Sequence, residues 1–124
     1  MDLNTKTIAI NDSYDVVMAR QCAREMSRDM GFSLTDQTRI ATAVSEVARR
    51  ALRNQGRGNV LFTVVSSNSD RGLQCTCVGG EWLSAPPDPA FGDILGGIER
   101  LVDEYEVEPR GNNRVAVIMR KWLR

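Results

Sequence analysis

The sequence offers few side chains suited to acid–base or metal chemistry. It contains no histidine, which excludes an imidazole base and a histidine metal ligand. Its three cysteines are Cys22, Cys75 and Cys77, an odd number without CxxC spacing. We therefore expect reduced, partly buried thiols, and neither a disulfide framework nor a metal site.

Glu46 and Arg50 form a charged pair at helical spacing. They lie four residues apart within a segment of helical periodicity. That spacing places both side chains on one face of a helix. The plainest interpretation is a surface ion pair that stabilises the helix by about 0.3–0.5 kcal/mol.

A group of arginines on two predicted helices is suited to binding rather than to reaction. They are Arg20, Arg24, Arg28, Arg39 and Arg49. Two interpretations stay open: solvated helix faces, or a docking surface for an acidic protein partner. Because sixteen Lys and Arg balance sixteen Asp and Glu, the chain lacks the net basic field that drives non-specific binding of nucleic acid.

Length and composition point to one domain. The chain has 124 residues, of which 42% are hydrophobic and 26% are charged. These values fit one globular domain over residues 1–124. Since no apolar stretch reaches membrane-span length and no secretory-signal pattern is visible, we expect a cytoplasmic protein that does not bind membranes.

Hydrophobic periodicity and composition predict four strands and three helices. The strands are Thr5–Ile10, Asn59–Ser66, Gly72–Val78 and Val115–Met119. The helices are Tyr14–Met30, a second that opens after Ser33 and runs to about Asn54, and Ile94–Tyr105. Asp12 or Ser13 is the expected N-cap of the first helix, and Gly31 the expected left-handed C-cap.

The order β-α-α-β-β-α-β favours two layers. The polar turn Ser67–Arg71 makes the strands on either side of it an antiparallel hairpin. We expect an α/β (α+β) two-layer sandwich, with a mixed, mostly antiparallel sheet covered on one face by about three helices.

Several strings in the chain resemble one family. They are Asp15–Gln21, Met30–Ser33, Asp36–Arg49, Ile98–Tyr105 and Arg120–Trp122. On these residues, nearly the whole chain resembles the RsbT-type switch kinases and anti-sigma serine kinases of the GHKL (histidine-kinase-type) ATPase superfamily. The resemblance implies a GHKL/Bergerat-type ATPase fold.

The resemblance also implies a nucleotide site with altered residues. In that family a helix carries a Glu that helps activate the attacking hydroxyl and, four residues later, an Asn that binds Mg²⁺. Glu46 matches the Glu, whereas Arg50 stands at the Asn position. A guanidinium group has only hydrogen-bond donors and a permanent positive charge, so Arg50 cannot coordinate Mg²⁺.

The family's other nucleotide-binding motifs are also altered. The adenine-reading Asp falls near Gly79, with Glu81 as a displaced substitute. Gly96 and Gly97 match the lid glycines, although close helix packing would explain them equally. Asn112–Asn113 stands where a Gly-Thr turn is usual, and Asn tolerates the left-handed conformation. We expect no metal and no cofactor, with ATP and Mg²⁺ bound only if the chain is an active kinase.

The resemblance implies partner switching as the function. We expect a regulator that binds a STAS-domain antagonist, a sigma factor, a phosphatase or a sister subunit, with kinase activity lost or weak. The alternative is a divergent ATP-dependent serine/threonine kinase of a STAS-domain protein, with Glu46 as its catalytic residue. A third hypothesis is a structural subunit of a homodimer or heterodimer.

Overall fold

The computed structural model describes residues 5–53, 56–80 and 97–124. In chain order the elements are β1 (Thr5–Ile10), α1 (Ser13–Met30), α2 (Leu34–Ala51), β2 (Gly58–Ser67), β3 (Asp70–Gly80), β4 (Glu104–Gly111) and β5 (Arg114–Leu123). The strands form one sheet in the order β1-β2-β3-β5-β4, with every neighbouring pair antiparallel. Neither described helix is long and apolar enough to cross a membrane.

The two helices and one face of the sheet enclose the core. Leu73, Cys75 and Cys77 alternate along β3 and are buried against the apolar sides of α1 and α2. Strand alternation places every second residue on the helix side, so one sheet face supplies one half of the core. This is the predicted α+β two-layer sandwich. Its assignment to the histidine-kinase-type superfamily stays a prediction.

The predicted helix caps form as the sequence indicated. The Asp12 carboxylate accepts a hydrogen bond from the Asp15 backbone N–H, and Ser33 does the same for Asp36. Gly31 ends α1 in the left-handed conformation, with φ at 99°. These caps fix the short connection that brings α2 back alongside α1.

The predicted third helix, Ile94–Tyr105, is confirmed only in part: Gly97 and Ile98 are helical, but the helix does not continue to Tyr105. Residues 94–96 lie outside the described residues, and beyond Ile98 the chain turns and enters strand β4 at Glu104. Among the described residues two complete helices cover the sheet, and a third helical segment ends early, with Gly97 and Ile98 as its described helical residues. The physical reason is strand pairing: β4 joins β5 through a tight turn at Asn112 and Asn113, whose φ angles are 53° and 60°.

Helix α2 ends in close contact with the sheet at Gly58. A Cβ atom on Gly58 would meet the backbone oxygen of Val78 and would lie 3.1 Å from the Cβ of Ala51. No room for a side chain therefore remains where the last turn of α2 meets the start of β2 and the end of β3.

The opposite end of α2 is tied to β5 by a charged cluster. We define the Lys121 cluster as Asp36, Asp103, Lys121 and Trp122. The Lys121 ammonium lies 3.1 Å from one Asp103 oxygen and 3.8 Å from Asp36, and its side chain is only 14% exposed. The other Asp103 oxygen accepts a hydrogen bond of 2.7 Å from the Trp122 backbone N–H.

Electrostatics around Asp103 favour its charged form. Partial burial by itself raises the pKa of Asp103. The hydrogen bonds from the Trp122 backbone and from Lys121, together with the charges of Lys121 and Arg124, outweigh this effect and lower that pKa below its usual value. The ionised carboxylate therefore stabilises the fold.

We predict that Gly58→Ala lowers the free energy of unfolding by about 1–3 kcal/mol, because its methyl group collides with backbone atoms. Gly97→Ala is the matched control, since Gly97 is exposed and no atom of the described residues lies within 4 Å of a Cβ placed there. Urea unfolding measures both variants. Equal midpoints for the two would contradict the close approach at Gly58.

We predict that Asp103→Asn lowers the free energy of unfolding by about 1–2 kcal/mol at neutral pH, because a charge-assisted hydrogen bond is lost. Since the folded-state pKa of Asp103 is lowered, its contribution is complete above the unfolded-state pKa of about 3.9 and disappears as the pH falls through the folded-state pKa. The difference from wild type should therefore shrink below about pH 4.

Denaturant unfolding at a series of pH values measures this effect. The exposed Asp29, paired only with the exposed Arg28, supplies the control Asp29→Asn, which should change stability by less than about 0.5 kcal/mol. A difference for Asp103→Asn that does not change with pH would exclude the charge as its cause.

Candidate functional site

The C-terminal half of α2 and the end of β3 bring three of the sequence-predicted site residues to one end of the molecule. Glu46 and Arg50 occupy the last two turns of α2, and Ala51 packs against the Gly58–Val78 contact. Gly79 follows Val78, is buried, and pairs with Val115. Glu81 and Gly96 lie outside the described residues.

Arg50 is buried, which corrects the predicted surface ion pair. Its side chain is 2% exposed, and it is among the largest fully buried side chains of the described residues. Arg50 lies on the side of α2 that carries Ala43 and Val47, so the buried arc of the helix is wide enough to include it. The prediction placed Arg50 one helical turn after Glu46 correctly. It took too small a part of the helix circumference to face the protein interior.

The guanidinium of Arg50 has an interaction partner. In the described part of the chain, every buried side-chain nitrogen and oxygen atom makes a hydrogen bond. A buried guanidinium needs such partners, because moving an ion out of water costs several kcal/mol. Arg50 is thus a fixed internal cation at the end of α2.

Glu46 pairs with a different arginine. Its Oε1 atom accepts a hydrogen bond of 3.1 Å from Arg49 Nη1, and its side chain is 38% exposed. Glu46 and Arg50 therefore point in different directions: the carboxylate to the surface and the guanidinium to the interior.

The predictions for Gly97 and for the turn at Asn112–Asn113 have different outcomes. Gly97 is exposed, and no atom of the described residues lies within 4 Å of a Cβ placed on it, so nothing in that part of the chain supports the close-packing explanation for this glycine. The left-handed turn predicted at Asn112–Asn113 is confirmed. It forms the tight connection between β4 and β5.

The three thiols are buried and free, as the sequence predicted. Burial raises the pKa of Cys22 and Cys75, and it raises the pKa of Cys77 to about 12. A thiol with a raised pKa holds little thiolate at neutral pH and is a poor nucleophile. Within residues 5–53, 56–80 and 97–124, no group of acids and thiols is arranged to hold a metal ion.

A cavity of about 420 Å³ lies at the other end of α2. It is lined by Ser33, the Lys121 cluster and neighbouring residues at the end of β5. None of the sequence-predicted site residues lines it. Asp36, Asp103 and Lys121 are engaged with one another in the Lys121 cluster, and Arg124 pairs with Asp70 at 3.5 Å.

The five arginines predicted to bind a partner fall into two groups. Arg28, Arg39 and Arg49 each form an ion pair with an acidic neighbour on their own helix, at 3.2, 3.5 and 3.1 Å. Arg20 is exposed and Arg24 partly exposed. Neither has an ion pair among the described residues, so their charges are not neutralised there.

Sequence reasoning missed three exposed apolar residues on α1. Tyr14 is 67% exposed, Val17 61% and Met18 40%. The side of α1 that faces the core is the opposite one, where Val16 and Ala19 are buried. The signal that could have found them is a second apolar stripe: Val17 and Met18 follow Tyr14 by three and four residues, on the polar side of the helix.

Comparison with known proteins shows what this chain is similar to. No protein-family model matches the chain. The chain is similar to the serine/threonine-protein kinase RsbT of Bacillus subtilis (strain 168). The two are 28% identical over 134 aligned positions, which cover 94% of this chain and 96% of that protein. The similarity therefore runs along almost the whole of both chains.

Proposed function

We propose that this chain is a partner-switching regulator that acts by binding proteins and has lost, or nearly lost, the kinase chemistry of its relatives. The observation that carries this proposal is the buried Arg50. The expected partner is a STAS-domain antagonist, a sigma factor, a phosphatase or a sister subunit. Similarity to a serine/threonine-protein kinase over 94% of the chain supports a regulatory role of this kind.

The described residues do not fit a magnesium–nucleotide complex. Mg²⁺ prefers oxygen ligands, and Arg50 supplies only N–H donors and a positive charge. Phosphoryl transfer depends on cations that neutralise the developing charge on the phosphates. A guanidinium that is held inside the protein by its own partners would repel a metal at that position.

A second candidate function is a divergent serine/threonine kinase. The partly exposed carboxylate of Glu46 favours it, because a general base must reach its substrate. The name of the relative in Bacillus subtilis is consistent with that activity. Under this alternative, Glu46 is the catalytic residue and a STAS-domain protein the substrate.

We predict that Arg50→Met lowers the free energy of unfolding by about 2–4 kcal/mol, because the groups that hold the buried guanidinium lose their interactions with it. Arg49→Met is the matched control on the preceding, exposed residue, and it should change stability by less than about 1 kcal/mol. Thermal and urea unfolding measure both variants. If the two cost the same, Arg50 is not the fixed internal cation on which the proposal rests.

We predict that the purified protein shows no saturable micromolar binding of Mg·ATP in calorimetry and transfers no phosphate to a purified STAS-domain protein. The kinase alternative predicts the reverse, with transfer abolished by Glu46→Gln. Glu99→Gln, at another exposed carboxylate, is the control for that variant. Transfer that depends on Glu46 would replace our proposal by the alternative.

A further inference from the structure

The sheet has two edges, and they differ in how well they are protected against an added strand. Strand β4, at one edge, carries a charged side chain at every second position from Glu104 to Arg110, and its register shifts between Pro109 and Gly111. Charge, proline and a bulge are features by which proteins block a sheet edge. Strand β1, at the other edge, has one charged residue, no proline and an uninterrupted register with β2. The edge at β1 is therefore the more open of the two.

The hairpin turn at Asn68 and Ser69 determines which backbone groups of β1 point outward. Ser67 and Asp70 flank this two-residue turn and pair with each other, so they exchange both of their hydrogen bonds. Hydrogen-bonded pairs recur at every second residue of an antiparallel ladder. Odd-numbered residues of β2 therefore bond to β3, and even-numbered residues of β2 bond to β1.

The register of β1 on β2 then gives the outward groups. Lys6 and Ile8 pair with even-numbered residues of β2, so their N–H and C=O groups point into the sheet. The N–H and C=O groups of Thr5, Thr7 and Ala9 point away from it. Within the part of the chain that the structure describes, the backbone of β1 makes no hydrogen bond outside the sheet. These outward groups are free to pair with another strand.

Strand β4 supports this alternation independently. When the alternation is carried across β3 and β5, Val107 and Pro109 are among the residues of β4 whose backbone groups face away from β5. A proline in a sheet is expected at such a position, because it has no N–H to donate. The position of Pro109 thus agrees with the alternation, and it removes a donor from the outer edge of β4.

Lys6 adds an unneutralised charge beside the open backbone of β1. Its side chain is exposed and forms no ion pair with any described residue. Lys6 and Ile8 lie on the side of β1 that carries the buried Ile10, and an added strand would face both at non-hydrogen-bonded pairs. Side chains approach closely at such pairs, so they favour a carboxylate opposite Lys6 and an apolar side chain opposite Ile8.

We propose that β1 binds an extended, acidic segment of a protein partner as an additional antiparallel strand of the sheet. The backbone of the segment bonds to the outward groups of Thr5, Thr7 and Ala9. The segment carries an acidic and an apolar residue two positions apart, opposite Lys6 and Ile8. Antiparallel pairing continues the pattern of all the existing strands. The backbone bonds supply affinity and the two side-chain contacts supply selectivity.

This inference rests on the proposed partner-binding function and specifies one edge of the sheet through which it acts. A second copy of this chain fits that edge less well. Its own β1 would present another Lys6 and no carboxylate, so the ammonium group would gain no partner of opposite charge. A chain with a formal net charge of zero also offers no long-range attraction between copies.

The test follows amide hydrogen exchange in β1 by NMR, with and without the purified STAS-domain protein. The outward amides of Thr7 and Ala9 exchange rapidly in the free chain, and we expect the complex to slow their exchange at least about tenfold. The amides of Lys6 and Ile8 are internal controls, because β2 already protects them. Docking elsewhere on the molecule would leave the exchange of Thr7 and Ala9 unchanged.

Two variants separate the backbone contribution from the side-chain contribution. Thr7→Pro removes an outward N–H and keeps the bonds to β2, and Val107→Pro on β4 is its matched control. Lys6→Glu reverses the charge, and Arg71→Glu, at an exposed arginine on β3, is its control. Calorimetry at low and at physiological salt measures binding, and urea midpoints like that of wild type confirm that the variants are folded.

We expect Thr7→Pro to weaken binding of the STAS-domain protein at least about tenfold, because the proline lacks a donor and its ring obstructs the added strand. Lys6→Glu should weaken binding about fivefold, with a smaller effect of salt than in wild type. Both controls should stay within about twofold of wild type.

Four results are distinguishable. Slowed exchange at Thr7 and Ala9, with loss of binding in both variants and intact controls, supports the inference. Binding that neither slows this exchange nor responds to the variants overturns it and leaves the proposed function standing. A wild-type protein that does not bind the STAS-domain protein counts first against the proposed function, and the inference fails with it. A wild-type dimer that Thr7→Pro makes monomeric, measured by light scattering, assigns the edge to a second copy and overturns the acidic partner.

Discussion

The permanent positive charge of Arg50 inside the protein constrains the end of α2 and everything built around it. A guanidinium group at 2% exposure keeps its charge at any accessible pH, so burial cannot be relieved by loss of a proton. It must instead be held by surrounding polar groups, which makes its position rigid. The same charge opposes a second cation at that place, and the proposal that metal-dependent phosphoryl transfer is lost or weak rests on this opposition.

Helix α2 is held at both of its ends by different interactions. At its C-terminal end the constraint is steric, because Ala51, Gly58 and the Val78 backbone meet without room for a side chain. At its N-terminal end the constraint is electrostatic, because the Lys121 cluster joins Asp36 to β5. A helix secured in this way presents a stable surface, and α1, connected to it by the tight turn at Gly31, is positioned with it.

Charge is distributed unevenly in a protein whose formal net charge is zero. Most surface arginines of the two helices are neutralised by acidic neighbours one or three residues away. Arg20 and Arg24 are not, and they border the exposed apolar stripe of α1. Neutral surroundings make such a local patch selective, because long-range attraction does not draw unrelated acidic molecules to the rest of the surface.

Local sequence signals determined much of this structure by themselves. The caps at Asp12 and Ser33, the left-handed glycine at Gly31 and the turn at Asn112 depend on residues within a few positions of one another, so their types are enough to predict them. Two features depended on the tertiary structure. Glu104 continues a helical pattern yet joins a strand, because pairing with β5 outweighs local propensity.

The direction of a side chain on a helix likewise needs the neighbours of that helix. Arg50 and Tyr14 are an arginine and a tyrosine at ordinary helical positions, and nothing local says which of them is covered. Packing of α2 on the sheet buries the guanidinium, while the outward side of α1 leaves the tyrosine in water. Residue types and periodicity thus determined α1, α2, their caps and most of the strands, whereas burial, which decides chemistry and binding, was decided by how those elements pack.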